Sequence, residues 1–374
     1  MRWLKRIAAF IAALTIIFLP TEFFLILWKE AIQACAMPEW LIYAVASIVC
    51  WGLVNILDSF FIGSKVYENM WDGMIVSSLY KILGVLLVGG IFFTKVMEIS
   101  LTNAVLSMLG GALISAAYMS CFAAMLYYND APLVQVVWVL SSPLVVVLGY
   151  FFLGEEFAPK AYVGMGVVFL GAFVVSFTKD SFKCKLGRFA LLLVPMVVLY
   201  SASEVLMKYV EEVRNIDFGQ SFPFVCLGQV LFGIVLLIIR RNPRHIGRII
   251  KKNWKLFFSG EALELVGLFL MQLGIAKAPS IALFGVVEAF MPVMVIAITC
   301  IIVFFLRIFE RSEILRKTYE NMLSGTSLTR VAVFCLNIFE RSQILKKIYE
   351  ENMLSGLPFK VIATAIMMIG VYVL

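Results

Sequence analysis

The sequence predicts an all-α polytopic membrane protein: two inverted five-helix repeats preceded by one extra N-terminal transmembrane helix. Three observations lead there. Hydrophobic residues make up 62% of the 374 and charged residues only 15%, whereas soluble domains average about 45–50% apolar and about 25% charged. Apolar runs of about 20 residues recur, the length that crosses about 30 Å of hydrocarbon as a helix. The chain also matches itself at a fixed offset, as a duplicated bundle would.

The apolar runs place spans at 7–28, 40–60, 73–94, 102–126, 132–153, 160–178, 188–207, 220–239, 257–276, 281–304 and 357–374. The first follows the basic "MRWLKR" and resembles a secretory signal, with Ala34 and Ala36 as a small-residue cleavage pattern. Its apolar stretch continues through "PTEFFLILW", which leaves that pattern too far from the core. The first helix is therefore expected to be retained, with residues 1–39 forming helix and linker.

The next five spans form the first repeat, residues 40–180, and the last five the second, residues 187–374. At an offset of 149 residues, Trp51-Gly52 falls on Tyr200-Ser201, Gly84 on Gly233, Gly111 on Gly260 and Pro143 on Pro292. The fifth pair aligns at an offset of 199, with Pro159 on Pro358, Gly164 on Ala363 and Gly171 on Gly370. A spacing of seven puts those small residues on one helix face, where helices can approach closely. Five is odd, so the two halves point opposite ways in the membrane. Inverted repeats of this kind mark secondary transporters, which hold substrate between the halves near the midplane.

The change of offset measures an insert of about 50 residues in the second repeat. It is itself a duplication, at about 307–356. "VFFLRIFERSEILRKTYENMLSG" and "VFCLNIFERSQILKKIYEENMLSG" agree at 18 of 23 aligned positions once one extra glutamate is skipped. Ile314, Leu315, Tyr319, Met322 and Leu323 recur at helical spacing opposite basic residues, a pattern suited to the cytoplasmic interface. A tolerated tandem duplication and a regulatory segment both stand as readings.

Charge sets the orientation. With the N-terminus inside, 24 of the 31 lysines and arginines fall in cytoplasmic segments. Short basic loops stay cytoplasmic, so the N-terminus is expected inside a cell (inner) membrane and the C-terminus outside. The net charge of +7 thus follows loop position rather than a nucleic-acid surface. The seven cysteines are scattered without paired spacing, which suggests neither a disulfide framework nor a zinc site.

Ionisable residues within spans are costly and are functional candidates by default. Glu288 stands out. It lies about 10 Å into its span at 1.5 Å per residue, and Pro292 removes the N–H that would engage its carbonyl. A freed carbonyl in lipid must face protein or a water-filled cavity. Pro143 does the same for Val139, so the two interrupted helices are expected to be symmetry mates. Glu264 lies two turns into its helix. Lys81 can snorkel to the interface. Glu204 has Lys208 four residues on as a local partner. Together with Glu288, these three are the ion-coupling candidates. Asp58 and Glu261 fall near inner ends where water reaches them, and Glu22 belongs to the peripheral first helix. Trp51, Asn55, Tyr118, Gln135, Trp138, Ser201 and Gln272 are the remaining candidates for a substrate cavity.

The run "NDAPLVQVVWVLSSPLVVVLGYFFLGEEFAPKAYVGMGVVFLGAFVVSF" resembles the signature half of the drug/metabolite transporter superfamily, EamA family. The shared features are a small-residue turn, a helix interrupted by Pro-Leu, an "LGE" corner and a Gly-rich last helix. "CWG" at 50–52 resembles that family's first-helix motif. The resemblance covers roughly 40–306 and 357–374. It implies a ten-helix carrier of metabolites or drugs, usually with both termini cytoplasmic. The extra helix, the reversed orientation and the insert depart from that pattern.

The expected function is a secondary active transporter, an exporter or exchanger of small organic solutes, with protons or another cation as the candidate driving force. A lipid-linked substrate flippase of the same fold is an alternative. An integral-membrane transferase is another, but the one histidine, His245, lies in a basic loop and neither a P-loop nor a G-x-S-x-G motif is present. No catalysis, cofactor or metal is expected. The partners are the solute and the lipid bilayer, with no nucleic acid, and a homodimer stays open.

Overall fold

The computed structural model describes residues 38–63, 67, 69–128, 131–176, 186–311 and 357–374. The predicted first helix with Glu22, Cys184 and residues 312–356 of the duplicated insert lie outside them. No strand occurs among the described residues. The helices are α1 (Glu39–Gly63), α2 (Met70–Tyr80), α3 (Ile82–Ile91), α4 (Phe93–Met97), α5 (Leu101–Tyr128), α6 (Ala131–Leu153) and α7 (Pro159–Ser176). They continue as α8 (Leu186–Lys208), α9 (Phe218–Arg240), α10 (Pro243–Lys277), α11 (Ile281–Glu288), α12 (Met291–Arg311) and α13 (Leu357–Val373). A π-helical turn, Tyr209–Val213, follows α8.

Six stretches among the described residues are long and apolar enough to cross a membrane: Glu39–Asp58, Met70–Ile91, Leu101–Ala124, Phe218–Arg240, Phe257–Lys277 and Ile281–Ile301. Trp138–Leu153, Pro159–Val175 and Lys360–Val373 are shorter apolar helices. Large apolar side chains such as Leu86, Phe151, Leu170, Ile238 and Ile369 stand exposed on the outside of the bundle. In water that surface would be a liability; against lipid tails it costs nothing.

Local chemistry explains where the helices begin and turn. Asn69 caps α2 by accepting from the Asp72 amide at 3.0 Å. Asp217 and Gln220 close a capping box on α9. Asn242 followed by Pro243 opens α10, and Ser280 caps α11 by accepting from the Leu283 amide at 3.2 Å. After α6 the chain turns at Gly154, whose φ of +69° suits a residue without Cβ. That turn delivers Glu155 to the start of α11, where Oε1 accepts from the Ile281 amide at 2.6 Å and Oε2 from Ala282 at 3.2 Å.

In the packing, α1 lies on α10 and α5 on α8, while α6 packs against α8 and α12 against α1. Helix α9 meets α2, α3 and α5, and α7 pairs with α13. The last pair approaches through small residues. A Cβ at Gly164 would meet the Gly370 carbonyl at 2.8 Å, and one at Gly171 would meet the Ala363 carbonyl at 3.1 Å. On α13 the exposed Val361, Ile362, Met368 and Ile369 face away from that contact.

Candidate functional site

Four helices bring aromatic rings to one small cavity. Helix α1 supplies Trp51, Asn55 and Asp58, one turn apart along one face; α5 supplies Tyr118, α6 Trp138 and α8 Tyr200. The rings form a continuous wall. Trp51 stacks on Tyr118 with centroids 5.5 Å apart, Tyr118 meets Trp138 at 5.3 Å, and Trp138 stands edge-on to Tyr200 at 4.6 Å. Trp51 is 5% exposed, and its indole N–H has no hydrogen-bond partner among the described residues.

Tyr200 joins this cavity to Glu288. Its hydroxyl lies 3.1 Å from Glu288 Oε1 and 3.4 Å from the Met271 sulfur. Glu288, 8% exposed, is the last residue of α11; the chain turns through Ala289 and Phe290 before α12 begins. Pro292 sits in the first turn of α12, where its missing N–H removes no helical bond. Helix α6, by contrast, runs unbroken through Pro143, so the two proline helices differ where the sequence suggested mates. Hydroxyls gather around Pro143. Ser141 Oγ donates to the Trp138 carbonyl at 2.5 Å, and Ser201 Oγ donates to the Ser141 carbonyl at 3.1 Å.

Glu204 departs from its expected pairing. Lys208 instead donates to the Ala278 carbonyl at 2.6 Å and the Ile275 carbonyl at 3.2 Å, and pairs with Glu212 at 3.1 Å. Its ammonium is thereby held at the end of α10. Glu204, fully buried, turns inward against the Glu288 carboxyl and the Tyr200 hydroxyl. Neither of its oxygens has a donor in full hydrogen-bonding geometry.

Lys81 does not snorkel. At 1% exposure it is buried at the junction of α2 and α3, 2.9 Å from Glu264 and 3.2 Å from Glu261. Ser77 completes the group, its Oγ 3.3 Å from the Lys81 ammonium and donating to Glu264 Oε2 at 3.0 Å. Glu261 was expected within reach of water, but α10 begins at Pro243, which places it mid-helix at 6% exposure. Hydropathy marked where the apolar part of that helix starts, not where the helix does. Asp58 likewise faces the cavity within electrostatic range of Lys81 and Glu264.

Trp51, Asn55, Tyr118 and Trp138 therefore line one cavity, with Glu288 behind Tyr200. Ser201 ties α8 to α6 instead. Gln272 belongs to a separate polar group, donating to Ser221 Oγ at 3.1 Å and to Glu211 at 3.2 Å. Gln135 lies on α6, but its side chain is outside the described residues. Sequence reasoning left Tyr200 out, although the 149-residue offset that aligns it with Trp51 carried the signal. It also discounted Asp58 and Glu261 and passed over Ser77. Among the described residues, no group of three or more His, Cys, Asp or Glu is arranged to hold a metal ion.

Fold and site together define an all-α, multi-helix membrane protein with charged groups buried in its interior. No family model and no curated protein matches the chain. Among the solved structures similar to this chain, one crystal structure aligns over 84% of this chain and 96% of its own, at 13% identity and a TM-score of 0.52. That likeness concerns the fold alone.

Proposed function

We propose that this protein is a secondary active transporter of small organic solutes, resembling the EamA family of the drug/metabolite transporter superfamily, that works by alternating access between two inverted five-helix repeats. The packing supports the repeat. Exchanging the halves turns the α1–α10 contact into α8–α5 and the α1–α12 contact into α8–α6, while α7–α13 and the contact of α9 with α2 and α3 map onto themselves. The substrate occupies the aromatic cavity between the halves.

The observation that carries the reading is Tyr200, which lines the cavity and whose hydroxyl donates to Glu288. Glu288 and Glu204 face each other away from water. Two bare charges there, with no cation in contact among the described residues, would be costly, and in this mechanism the pair shares a proton. Release of that proton when the cavity opens, and its recapture when substrate leaves, would couple transport to a proton gradient. Tyr200 senses both events because it touches both sites.

The test is transport in liposomes, with solutes screened under an imposed proton gradient. Glu288→Gln keeps shape and hydrogen bonding but cannot titrate. It should abolish gradient-driven uptake while solute–solute exchange persists. Normal gradient-driven uptake by this variant would make Glu288 structural and overturn the coupling mechanism.

A further inference from the structure

The structure assigns the corner between α9 and α10 as a docking surface for anionic phospholipid headgroups of the leaflet it adjoins. The surface lies apart from the aromatic cavity and does not depend on the transporter reading.

The sequence makes this corner basic throughout. No aspartate or glutamate occurs from Arg240 to Gly260, whereas Arg240, Arg241, Arg244, Arg248, Lys251 and Lys252 are all exposed. The last four recur at helical spacing and so share one face of the first part of α10. The opposite face is apolar. Ile246 is buried there, and Ile249 and Ile250 pack against the core that holds Met74 and Leu236. That packing fixes the roll of the helix and turns the basic stripe away from the protein. None of the four stripe residues forms an ion pair among the described residues. A face built only for water carries both signs of charge interspersed; this one carries a single sign.

The fold brings the stripe to the membrane boundary. The apolar span of α9 ends at Arg240, and that of α10 does not begin until Phe257. Between them, His245 lies 3.1 Å from Asp72, close to the start of the span Met70–Ile91. A segment held against the ends of three spans lies across the boundary instead of standing out into water. Its helix is interrupted at Asn253, with φ −118° and ψ 20°, before the span proper begins. Two indoles mark the same level. The Arg240 guanidinium sits over the Trp71 ring, 5.7 Å from its centroid, and Trp254 is 55% exposed, as in the aromatic belt of a membrane interface. Apolar residues on one face and cations on the other are the pattern of a helix lying in that interface. An anionic leaflet attracts each lysine and arginine near its surface. The lipid phosphates thus supply the counter-charge that this segment lacks.

The test is lipid retention by the purified full chain in neutral detergent, read by native mass spectrometry. The probes are phosphatidylglycerol and phosphatidylcholine with the same acyl chains, and transfer RNA as a competing polyanion. A phosphatidylglycerol with a photoreactive headgroup locates the contact. The chain should prefer phosphatidylglycerol by at least about fivefold, the worth of a single basic contact, with crosslinks on residues 240–256. Arg244→Gln, Arg248→Gln, Lys251→Gln and Lys252→Gln combined should bring the two lipids level. Exchanging arginine for lysine and lysine for arginine at the same positions should keep the preference. Should the glutamine variant fail to fold, the wild-type preference and the crosslink position decide. Equal retention of the two lipids, an unchanged preference in the glutamine variant, or crosslinks confined to other segments would overturn the inference. Capture of transfer RNA without a preference for phosphatidylglycerol would assign the stripe to nucleic acid and overturn it as well.

Discussion

Glu155 Oε1 accepts from the Ile281 amide at 2.6 Å, binding the corner after α6 to the first turn of α11. A carboxylate at a helix N-terminus meets both free N–H groups and the positive end of the helix dipole, and Ser280 Oγ donates to the same carboxylate at 3.0 Å. Glu155 thereby fixes the short helix that ends in Glu288. Glu155→Ala should lower stability by about 1–2 kcal/mol, the usual range for a lost N-terminal cap, and Glu155→Gln by less. Thermal unfolding in detergent checks both, and an unchanged midpoint for the alanine variant would mean that α11 is held by packing alone.

Lys81 stabilises two glutamates that have no other cation in contact among the described residues. Lys81→Met leaves them uncompensated, a loss of about 3–5 kcal/mol for a broken buried pair. Adding Glu261→Gln and Glu264→Gln should recover most of it, because the uncompensated charges go with the lysine. A triple variant no more stable than Lys81→Met would show that the cluster contributes packing rather than charge balance.

Glycines offer a sharper contrast. At Gly111 a Cβ would run into the Val225 carbonyl, so α5 and α9 touch there through backbone. Gly111→Ala should force the helices apart and cost at least about 1–3 kcal/mol, as overpacking does. Gly166, whose Cβ position is open, should accept alanine without loss. Yield and unfolding midpoint of the two variants separate local crowding from any general intolerance of alanine.

Orientation is tested in intact cells. In a variant that keeps only Cys184, in a segment expected to be cytoplasmic, an impermeant thiol reagent added outside should leave the protein unlabelled. Labelling from outside would reverse the charge-based topology.

The sequence alone was enough to establish an all-α membrane protein, because composition and run length are properties of the chain that no packing changes. It also picked out Glu288, since a carboxyl four residues before a proline in an apolar run is anomalous wherever the helix ends up. The aromatic residues Trp51, Tyr118 and Trp138 could be named, but not that they share one wall, because nothing in helical periodicity says which faces of α1, α5 and α6 converge. Only the tertiary structure decided the partners of the charges. Glu204 lies one turn from Lys208 and was assigned to it, yet the lysine reaches the carbonyls that end α10 and the glutamate meets Glu288. Lys81 could either snorkel to the interface or take an interior role, and it is clamped by two glutamates about 180 residues away along the chain. Charges pair across space in a low-dielectric interior, and their energies depend on distances of a few ångströms that sequence separation does not encode. The same holds for Tyr200: the repeat aligned it with Trp51, but only the fold put it on the cavity wall with its hydroxyl on the buried acid.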